Sequence, residues 1–306
     1  MAPFSSIGIE CAVSQNPSVR EQAIFDYLTT YLPADSSITP EEAVHHINAL
    51  FSEDHNATVV SFLYRSWQLV FCIGPQLDYQ QDPMQRFVAL LEALEILPDI
   101  LQGGAYPGRN SHANRLYVIM AFGEQWDSMF LSRFLSFGIA NTKRLGLRDN
   151  KEPSAKSARH LQNMNGLCAY MITRGLVCSS SYALETISTA LEDEKLKEPQ
   201  VRAAATWFTL RALLIYWFCQ KQEDRRSDKR GALWTGKPEE GYSIARWMFW
   251  RGRLAELCVH PGVEKETIHI CRAAKQAMDR VSKQVNGVRI VEKIMAFLQR
   301  MVGRKG

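Results

Sequence analysis

Helix-start signals recur along this chain of 306 residues, and they constrain its fold more than any other feature. In "TPEEAVHHINALF", Thr39 is placed to cap a helix that starts at Pro40, and Glu42 completes a capping box with Thr39. Asp82 and Pro83 repeat the order of cap and proline at the start of "DPMQRFVALLEALEIL". The segment "NPSVREQAIFDYLTTYL" also begins with a proline signal and spaces its apolar residues close to the helical period. The first third of the chain is therefore predicted to be helical.

The rest of the chain continues this pattern and shows little sign of strands. "RLYVIMAF", residues 115–122, has some strand character, but the helical segment "GEQWDSMFLSRFLSFGIAN" follows it. No internal repeat of fixed period is visible, which disfavours a solenoid. We predict one all-α domain over residues 1–306, with about eleven helices and no significant sheet. The charged, proline-containing loop at residues 147–158 is the candidate boundary if the assembly divides into two lobes.

Residues 199–222, "PQVRAAATWFTLRALLIYWFCQKQ", form the most hydrophobic segment. Arg202 and Arg211 interrupt it, and its uninterrupted apolar run, Ala212 to Cys219, is far shorter than the roughly twenty residues that a bilayer requires. The pattern predicts a central core helix that is buried on all sides rather than a transmembrane segment. The first residues of the chain also lack the basic and apolar regions of a signal peptide. We expect a cytoplasmic protein, with the nucleus as the alternative compartment.

The cysteines and histidines argue against disulfides and metal sites. The seven cysteines are odd in number, widely spread and never arranged as CxxC, so we expect reduced thiols that pack as small apolar side chains. His45 and His46 are adjacent, and on a helix they point about 100° apart and cannot face one ion. The motifs GxGxxG, GxxxxGK[ST], GxSxG, HExxH and DDxxD are absent from the sequence. We therefore expect neither cofactor nor metal, and the catalytic residues, if any exist, are unknown.

The net charge of +4 is unevenly distributed along the chain. Residues 260–306 contain ten Lys or Arg and four Asp or Glu, which gives this segment a net charge of +6 and leaves the remainder at −2. Such asymmetry occurs at contacts with nucleic acid or anionic membranes, but it is more often the solvated face of a helix. We expect basic C-terminal helices over residues 260–306, with nucleic-acid binding as an unfavoured use of them.

Tryptophan and arginine are concentrated in residues 231–257, "GALWTGKPEEGYSIARWMFWRGRLAEL". On a helix capped by Ser243, the residues Trp247 and Trp250 lie on one inward-facing apolar stripe. Arg246 and Arg253 are four and three residues from Trp250, so its ring can lie between two guanidinium groups.

Three interpretations of this segment are open. The indoles can fill a helical core with the arginines stacked at its rim, which is the interpretation we prefer. They can instead form the wall of a pocket in which an arginine binds an anionic group of a flat ligand. They can also stack on single-stranded nucleic acid, although Glu239, Glu240 and Glu256 dilute the local positive charge.

The same segment resembles the signature of a fungal family of helical proteins, DUF3632, in which a Gly-x-x-Trp-x-Gly loop leads into an Arg-Trp-x-x-Trp-x-x-Arg helix. Here the helix motif consists of Arg246, Trp247, Trp250 and Arg253. "QDPMQRFVALLEAL", "ALETISTALED" and "VRAAATWF", which ends near Trp207, are similar to other parts of the family, so the resemblance covers roughly residues 80–258. Departures from the pattern are "NMNGLCAYMITRGL", where a Trp is expected, and the basic C-terminal helices. The resemblance implies an all-α cytosolic fungal protein and carries over no catalytic residue.

Such fungal proteins are often encoded beside genes for specialised metabolites. By analogy alone, we expect a cofactor-independent enzyme or accessory protein of specialised metabolite biosynthesis that acts on an apolar small molecule. Its ligand pocket would have Trp207, Trp247 and Trp250 as walls, and Arg246 or Arg253 would orient an anionic group. The alternatives are a non-catalytic interaction protein, acting as scaffold or regulator, and a nucleic-acid-binding protein. The sequence does not indicate an oligomeric state.

Overall fold

The computed structural model describes residues 19–52, 73–96, 155–176, 180–224, 231–236 and 241–285. Within these ranges the chain forms eight α-helices and one 3-10 turn, and no strand is present, which confirms the all-α prediction. The described residues hold eight helices, whereas about eleven were predicted for the whole chain. Two of the predicted helices, in residues 123–141 and 287–302, and the strand-like stretch 115–122 lie outside the described residues.

The eight helices are numbered in chain order, and the 3-10 turn, Gly74–Gln76, lies between the second and the third. They are α1 (Val19–Tyr31), α2 (Pro40–Ser52), α3 (Asp82–Ile96), α4 (Ala155–Arg174), α5 (Ser181–Leu191), α6 (Glu198–Lys221), α7 (Ile244–Leu257) and α8 (Lys265–Val285). The chain divides into two compact units, residues 1–167 and residues 168–306. The first unit ends within α4, nine residues beyond the end of the loop 147–158.

In the first unit, the predicted capping box forms at the start of α2. The backbone N–H of Glu42 donates to Thr39 Oγ1 at 3.2 Å, and the backbone N–H of Thr39 donates to Glu42 Oε2 at 2.8 Å. Hydrogen bonds from the backbone N–H and the side chain of Thr39 also lower the pKa of the Glu42 carboxyl below its usual range, because they favour its charged form. The reciprocal bonds satisfy two backbone donors and fix where the helix begins.

Replacing Thr39 with alanine is expected to lower the free energy of unfolding of the first unit by about 1 kcal/mol. The substitution removes the acceptor for the backbone N–H of Glu42 without changing a buried side chain, because Thr39 is exposed. Urea unfolding followed by circular dichroism measures the loss. Thr39→Ser keeps the hydroxyl and serves as the matched control, with a change of less than about half that size.

The core of the first unit lies where α1, α2 and α3 meet, with α2 packed against both of the others. Arg86 on α3 ties these helices together through main-chain acceptors. Its Nε donates to the carbonyl of Tyr31 at 2.9 Å, its Nη2 donates to the carbonyl of Ile38 at 2.7 Å, and its guanidinium lies 4.6 Å from the centre of the Tyr31 ring. Tyr31 in turn donates its hydroxyl to the carbonyl of Arg86 at 2.7 Å.

In the second unit, α6 is the central helix, and α5, α7 and α8 all pack against it. The N-terminal half of α6 is almost completely buried, because Ala203, Ala204 and Ala205 let the neighbouring helices approach while Trp207 and Phe208 fill the space beside them. The helix α7 also packs against α5 and α8. This arrangement places the Trp/Arg segment of the sequence directly on the core.

The helix α6 bends at Arg211, whose backbone angles (φ −140°, ψ 33°) are not helical. The Arg211 side chain crosses to α4, where its Nε donates to the carbonyl of Ala169 at 3.0 Å and its guanidinium lies 4.8 Å from the centre of the Tyr170 ring. Beyond the bend the helix is less enclosed, and Leu213 is 38% exposed. The prediction of a helix buried on all sides therefore holds for its first half and is wrong for its second.

Membrane crossing is the remaining question for this helix. Among the helices of the described residues, none has both the length and the apolar character that a membrane span requires.

Candidate functional site

The Trp/Arg helix α7 begins as its sequence predicts. Ser243 has extended backbone angles (φ −149°, ψ 157°), and its hydroxyl accepts a hydrogen bond from the backbone N–H of Arg246 at 3.1 Å. The predicted inward stripe is also confirmed, because Trp247, Trp250, Leu254 and Leu257 are all buried. Capping and apolar spacing together fix the rotation of α7 about its axis and so the direction in which each arginine points.

Arg246 points into the core and is paired with a carboxylate that lies 54 residues away in the sequence. Its Nε donates to Glu192 Oε1 at 2.5 Å and its Nη2 donates to Glu192 Oε2 at 2.8 Å, which is a bidentate ion pair. Its Nη1 donates to the carbonyl of Gly241 at 2.7 Å. The side chains of Arg246 and Glu192 are 1% and 0% exposed, so the pair is isolated from solvent.

Glu192 accepts two further hydrogen bonds at the same carboxylate. Trp250 donates its indole N–H to Oε1 at 2.7 Å, and the backbone N–H of Gly231 donates to Oε2 at 3.1 Å. The main-chain carbonyl of Glu192 accepts the backbone N–H of Leu233 at 2.8 Å. We call the carboxylate of Glu192, the guanidinium of Arg246, the indole of Trp250 and the N–H of Gly231 the Glu192 cluster.

Two indoles cover the guanidinium of Arg246. Its central carbon lies 5.6 Å from the centre of the Trp250 ring and 5.9 Å from that of Trp234, within the range of a cation–π contact. The sequence suggested the converse, one indole between two guanidinium groups. Arg253 does not take part, because its Nη1 pairs with Glu256 Oε2 at 2.6 Å on the partly exposed side of α7.

The other two tryptophans of the predicted pocket wall, Trp207 and Trp247, are also buried in the core. The ring of Phe208 contacts those of Trp247 and Trp250, at centroid distances of 5.8 Å and 6.0 Å. Trp207 is fully buried and meets Tyr182 of α5 edge to face at 6.1 Å. Among the predicted residues, the structure therefore joins Arg246 and Trp250 through Glu192 and joins Trp247 to them through Phe208.

Glycine is required at two points of the loop that precedes α7. A Cβ at Gly231 would overlap the main-chain carbonyl of Glu192, and one at Gly241 would overlap the main-chain carbonyl of Asp224. Because each glycine lacks a side chain, the loop can approach the end of a helix closely. The loop backbone then forms hydrogen bonds with that helix end. The Gly-x-x-Trp-x-Gly pattern thus brings a backbone N–H to the buried carboxylate.

Tyr242 fastens the other end of this loop. Its hydroxyl donates to the carbonyl of Ser180 at 2.9 Å, and its backbone N–H donates to the carbonyl of Glu223 at 3.0 Å. Burial raises the pKa of the Tyr242 phenol well above its usual range, so the hydroxyl stays a donor at neutral pH. The loop is therefore held at both ends by buried hydrogen bonds to α5 and to the end of α6.

Sequence reasoning missed Glu192 as the partner of Arg246. The available signal was the position of Arg246 on the inward face of α7, because a buried guanidinium needs a buried anion. Sequence alone does not say which acid supplies it.

The described cysteines are reduced thiols, as predicted. Cys168, Cys219, Cys258 and Cys271 form no disulfide, whereas Cys11, Cys72 and Cys178 lie outside the described residues. Burial raises the pKa of the Cys168 and Cys219 thiols and raises that of Cys271 to about 12, because an apolar environment disfavours the thiolate. In the part of the chain that the structure describes, no three His, Cys, Asp or Glu side chains are grouped to hold a metal ion.

Alkylation with iodoacetamide at about pH 8 is expected to be on the order of a hundredfold slower at Cys168, Cys219 and Cys271 in the folded protein than in urea. These thiols are buried and protonated, so the reaction requires the second unit to open. Mass spectrometry of tryptic peptides measures each cysteine separately. Fast labelling of Cys219 in the folded protein would contradict the core described here.

Two buried donors near α7 have no hydrogen-bond partner among the described residues. They are the indole N–H of Trp234 and the Nε of Arg253. Trp234 also contacts Phe249 edge to face at 5.3 Å, on the outer side of the Arg246 guanidinium. These donors, unlike those of the Glu192 cluster, find no acceptor in the part of the chain that the structure describes.

A comparison with family models matches residues 67–254 to the family described as "Protein of unknown function (DUF3632)". A search of curated proteins and a search of solved structures each find no match. The matched range spans more than half of the 306 residues and contains the whole Glu192 cluster together with most of α7. The chain therefore belongs to the DUF3632 family.

Proposed function

We propose that this protein is a non-catalytic interaction protein in which the Trp/Arg motif builds the core that holds the binding surface in shape. The observation that carries this proposal is the saturation of the Glu192 carboxylate by Arg246, Trp250 and the backbone of Gly231. A general base must reach its substrate, and this carboxylate is fully buried and accepts four hydrogen bonds.

The same contacts argue against Arg246 as a binder of anionic ligands. A ligand carboxylate would have to displace Glu192 from a bidentate pair and leave that carboxylate buried without a cation. The guanidinium also lies beside the indoles of Trp234 and Trp250. These contacts support a structural role for the motif.

The proposal is tested with a variant that removes the charges but keeps the volume, Glu192→Leu combined with Arg246→Met. Well-packed apolar residues often replace a buried ion pair without loss of stability. We expect this variant, introduced into a strain that lacks the gene, to restore the wild-type phenotype once circular dichroism shows that it folds. A folded variant that fails to restore it would show that the ion pair has a chemical role.

The second candidate is a cofactor-independent enzyme or accessory protein of specialised metabolism in a fungus, acting on an apolar small molecule. The unpartnered donors of Trp234 and Arg253 favour it, because each could donate to a ligand carbonyl or carboxylate. The test is deletion of the gene under conditions in which it is expressed, followed by metabolite profiling, with Arg253→Met as the point variant. Unchanged profiles in both strains would remove this candidate.

We also infer a cytoplasmic location, which rests on the sequence alone. A fluorescent fusion in the source organism tests it. Signal confined to the nucleus or to an organelle would contradict the inference.

A further inference from the structure

The helix α7 is apolar on its outward side as well as on its buried side. Ile244 is 41% exposed and Met248 is 51% exposed. Ala245, Gly252 and Ala255 share the same side of the helix, about one-third of its circumference, and no charged residue interrupts them. We call these five residues the outer stripe. A helix with a buried face normally presents polar residues to solvent, so this uncharged exposed face requires an explanation.

Gly252 is the least expected member of the outer stripe. Glycine weakens the interior of a helix relative to alanine. A Cβ at Gly252 would meet no atom within 4 Å, so the fold of the chain does not require a glycine there. Its usual advantage is that another backbone can approach closely, which points to an ordered partner at this surface.

The neighbouring helix α8 carries a row of basic side chains beside the outer stripe. The two helices run antiparallel, because Trp247 contacts Ser282 near one end and Arg251 pairs with Asp279 further along. The exposed side of α8 presents the basic residues Lys265, His269, Arg272, Arg280 and Lys283, with Gln276 among them. We call these five basic residues the basic row. No ion pair joins any of them to an acid of the described residues.

The outer stripe and the basic row are separated only by the ion pairs of Asp279 with Arg251 and Lys275. Packed helices lie about 8–10 Å apart, so one further helix lying over the α7–α8 hairpin would touch both surfaces at once. Such a helix needs an apolar face toward α7 and carboxylates toward α8. Charge complementarity with the basic row therefore requires the polar side of this further helix to be negatively charged.

We propose that the outer face of the α7–α8 hairpin binds an acidic amphipathic helix of a partner protein. This inference rests on the proposed function as an interaction protein and names the surface and the partner chemistry. Apolar side chains of the partner helix pack on Ile244 and Met248 and cross closely at Gly252. Its Glu or Asp side chains pair with Arg272, Arg280 and Lys283.

The probe is a fluorescein-labelled peptide of about four helical turns, with leucines on one face and glutamates elsewhere. Its charge-reversed isomer carries lysine at each glutamate. We expect the acidic peptide to bind the full-length protein in fluorescence anisotropy and the basic isomer to bind at least about tenfold more weakly. Met248→Glu and Arg280→Glu should each weaken binding of the acidic peptide by about tenfold.

Two matched controls make the same chemical changes elsewhere on the second unit. Leu213→Glu places an acid at an exposed apolar position of α6, and Lys195→Glu reverses an exposed charge before α6. Both should leave peptide affinity within about twofold of the wild type. Thermal unfolding of each variant checks that it is folded.

Several results would overturn the proposal. Equal affinity for the acidic and basic peptides would overturn it. A wild-type protein that is dimeric and that Met248→Glu converts to monomers would also overturn it. Sensitivity to Met248→Glu in binding to phosphatidylserine vesicles or to a single-stranded oligonucleotide, with no peptide binding, would assign the surface to a membrane or to nucleic acid. Unchanged peptide affinity after both substitutions would place the partner elsewhere. These results are independent of the rescue by the charge-free double variant, so a failure here can be distinguished from a failure of the proposed function.

Discussion

Replacing Glu192 with alanine is expected to lower the free energy of unfolding of the second unit by about 3–5 kcal/mol, the usual cost of removing one partner of a buried ion pair. The guanidinium of Arg246 would remain fully buried with no anion beside it. The indole N–H of Trp250 and the backbone N–H of Gly231 would lose their acceptor as well. Urea unfolding followed by tryptophan fluorescence measures the loss.

Glu194→Ala is the matched control for this measurement, because Glu194 is exposed two residues further along the chain. It should change the free energy of unfolding by less than about 0.5 kcal/mol. Glu192→Leu with Arg246→Met should recover the part of the loss that comes from the unpaired charge, although the N–H groups of Trp250 and Gly231 still lack their acceptor in it. A Glu192→Ala variant within about 1 kcal/mol of the wild type would mean that water reaches Arg246 and that the pair is not a closed core element.

The second large effect is expected at Gly231. Gly231→Ala should lower the free energy of unfolding of the second unit by about 2–3 kcal/mol. The alanine Cβ would overlap the main-chain carbonyl of Glu192 and push the loop away. Moving the loop would also stretch the bonds from Gly231 to the Glu192 carboxylate and from Leu233 to the Glu192 carbonyl. The same unfolding experiment measures the effect.

Gly252→Ala is the matched glycine control and should raise the free energy of unfolding instead of lowering it. Its Cβ would enter open space on an exposed helix, so we expect a gain of about 0.5–1 kcal/mol from helix propensity. Destabilisation by alanine at both positions would indicate that glycine replacement is harmful in general rather than through the contact with Glu192.

Local signals in the sequence predicted the elements of this fold well. The capping box of Thr39 and Glu42 and the cap at Ser243 depend on residues within one helical turn, so their spacing is visible in the sequence. The inward stripe of α7 follows from periodicity in the same way. Membership of the DUF3632 family was also recognisable from the Trp/Arg segment.

The pairing of distant residues could not be predicted from these signals. Periodicity shows that Arg246 faces inward, but an arginine at such a position can reach the surface, stack on a ring or bury its charge. The outcome depends on which acid the fold brings there, and Glu192 is placed by the packing of α5 against α6 and α7. The bend of α6 at Arg211 was missed for a similar reason, because it occurs where the Arg211 side chain contacts the carbonyl of Ala169 on another helix.

The position of the predicted ligand pocket stays a prediction. Trp207, Trp247 and Trp250 are enclosed by the core, while Arg253 lies near the surface with one donor unpartnered. The sequence grouped these residues because they are close along one helix or match one family pattern. Arg246 and Arg253 are seven residues apart, about two turns along nearly the same side of α7, and each meets what lies beside its own turn. Arg246 reaches Glu192, whereas Arg253 pairs with Glu256.

The separation of 54 positions between Arg246 and Glu192 has a consequence for how the second unit comes apart. One residue precedes α6 in the sequence and the other follows it. Detaching either α5 or α7 therefore leaves an unpaired charge in an apolar interior. Partly unfolded forms in which only one of these helices is detached are therefore destabilised. The helices on both sides of α6 should unfold in a single cooperative transition rather than one after another.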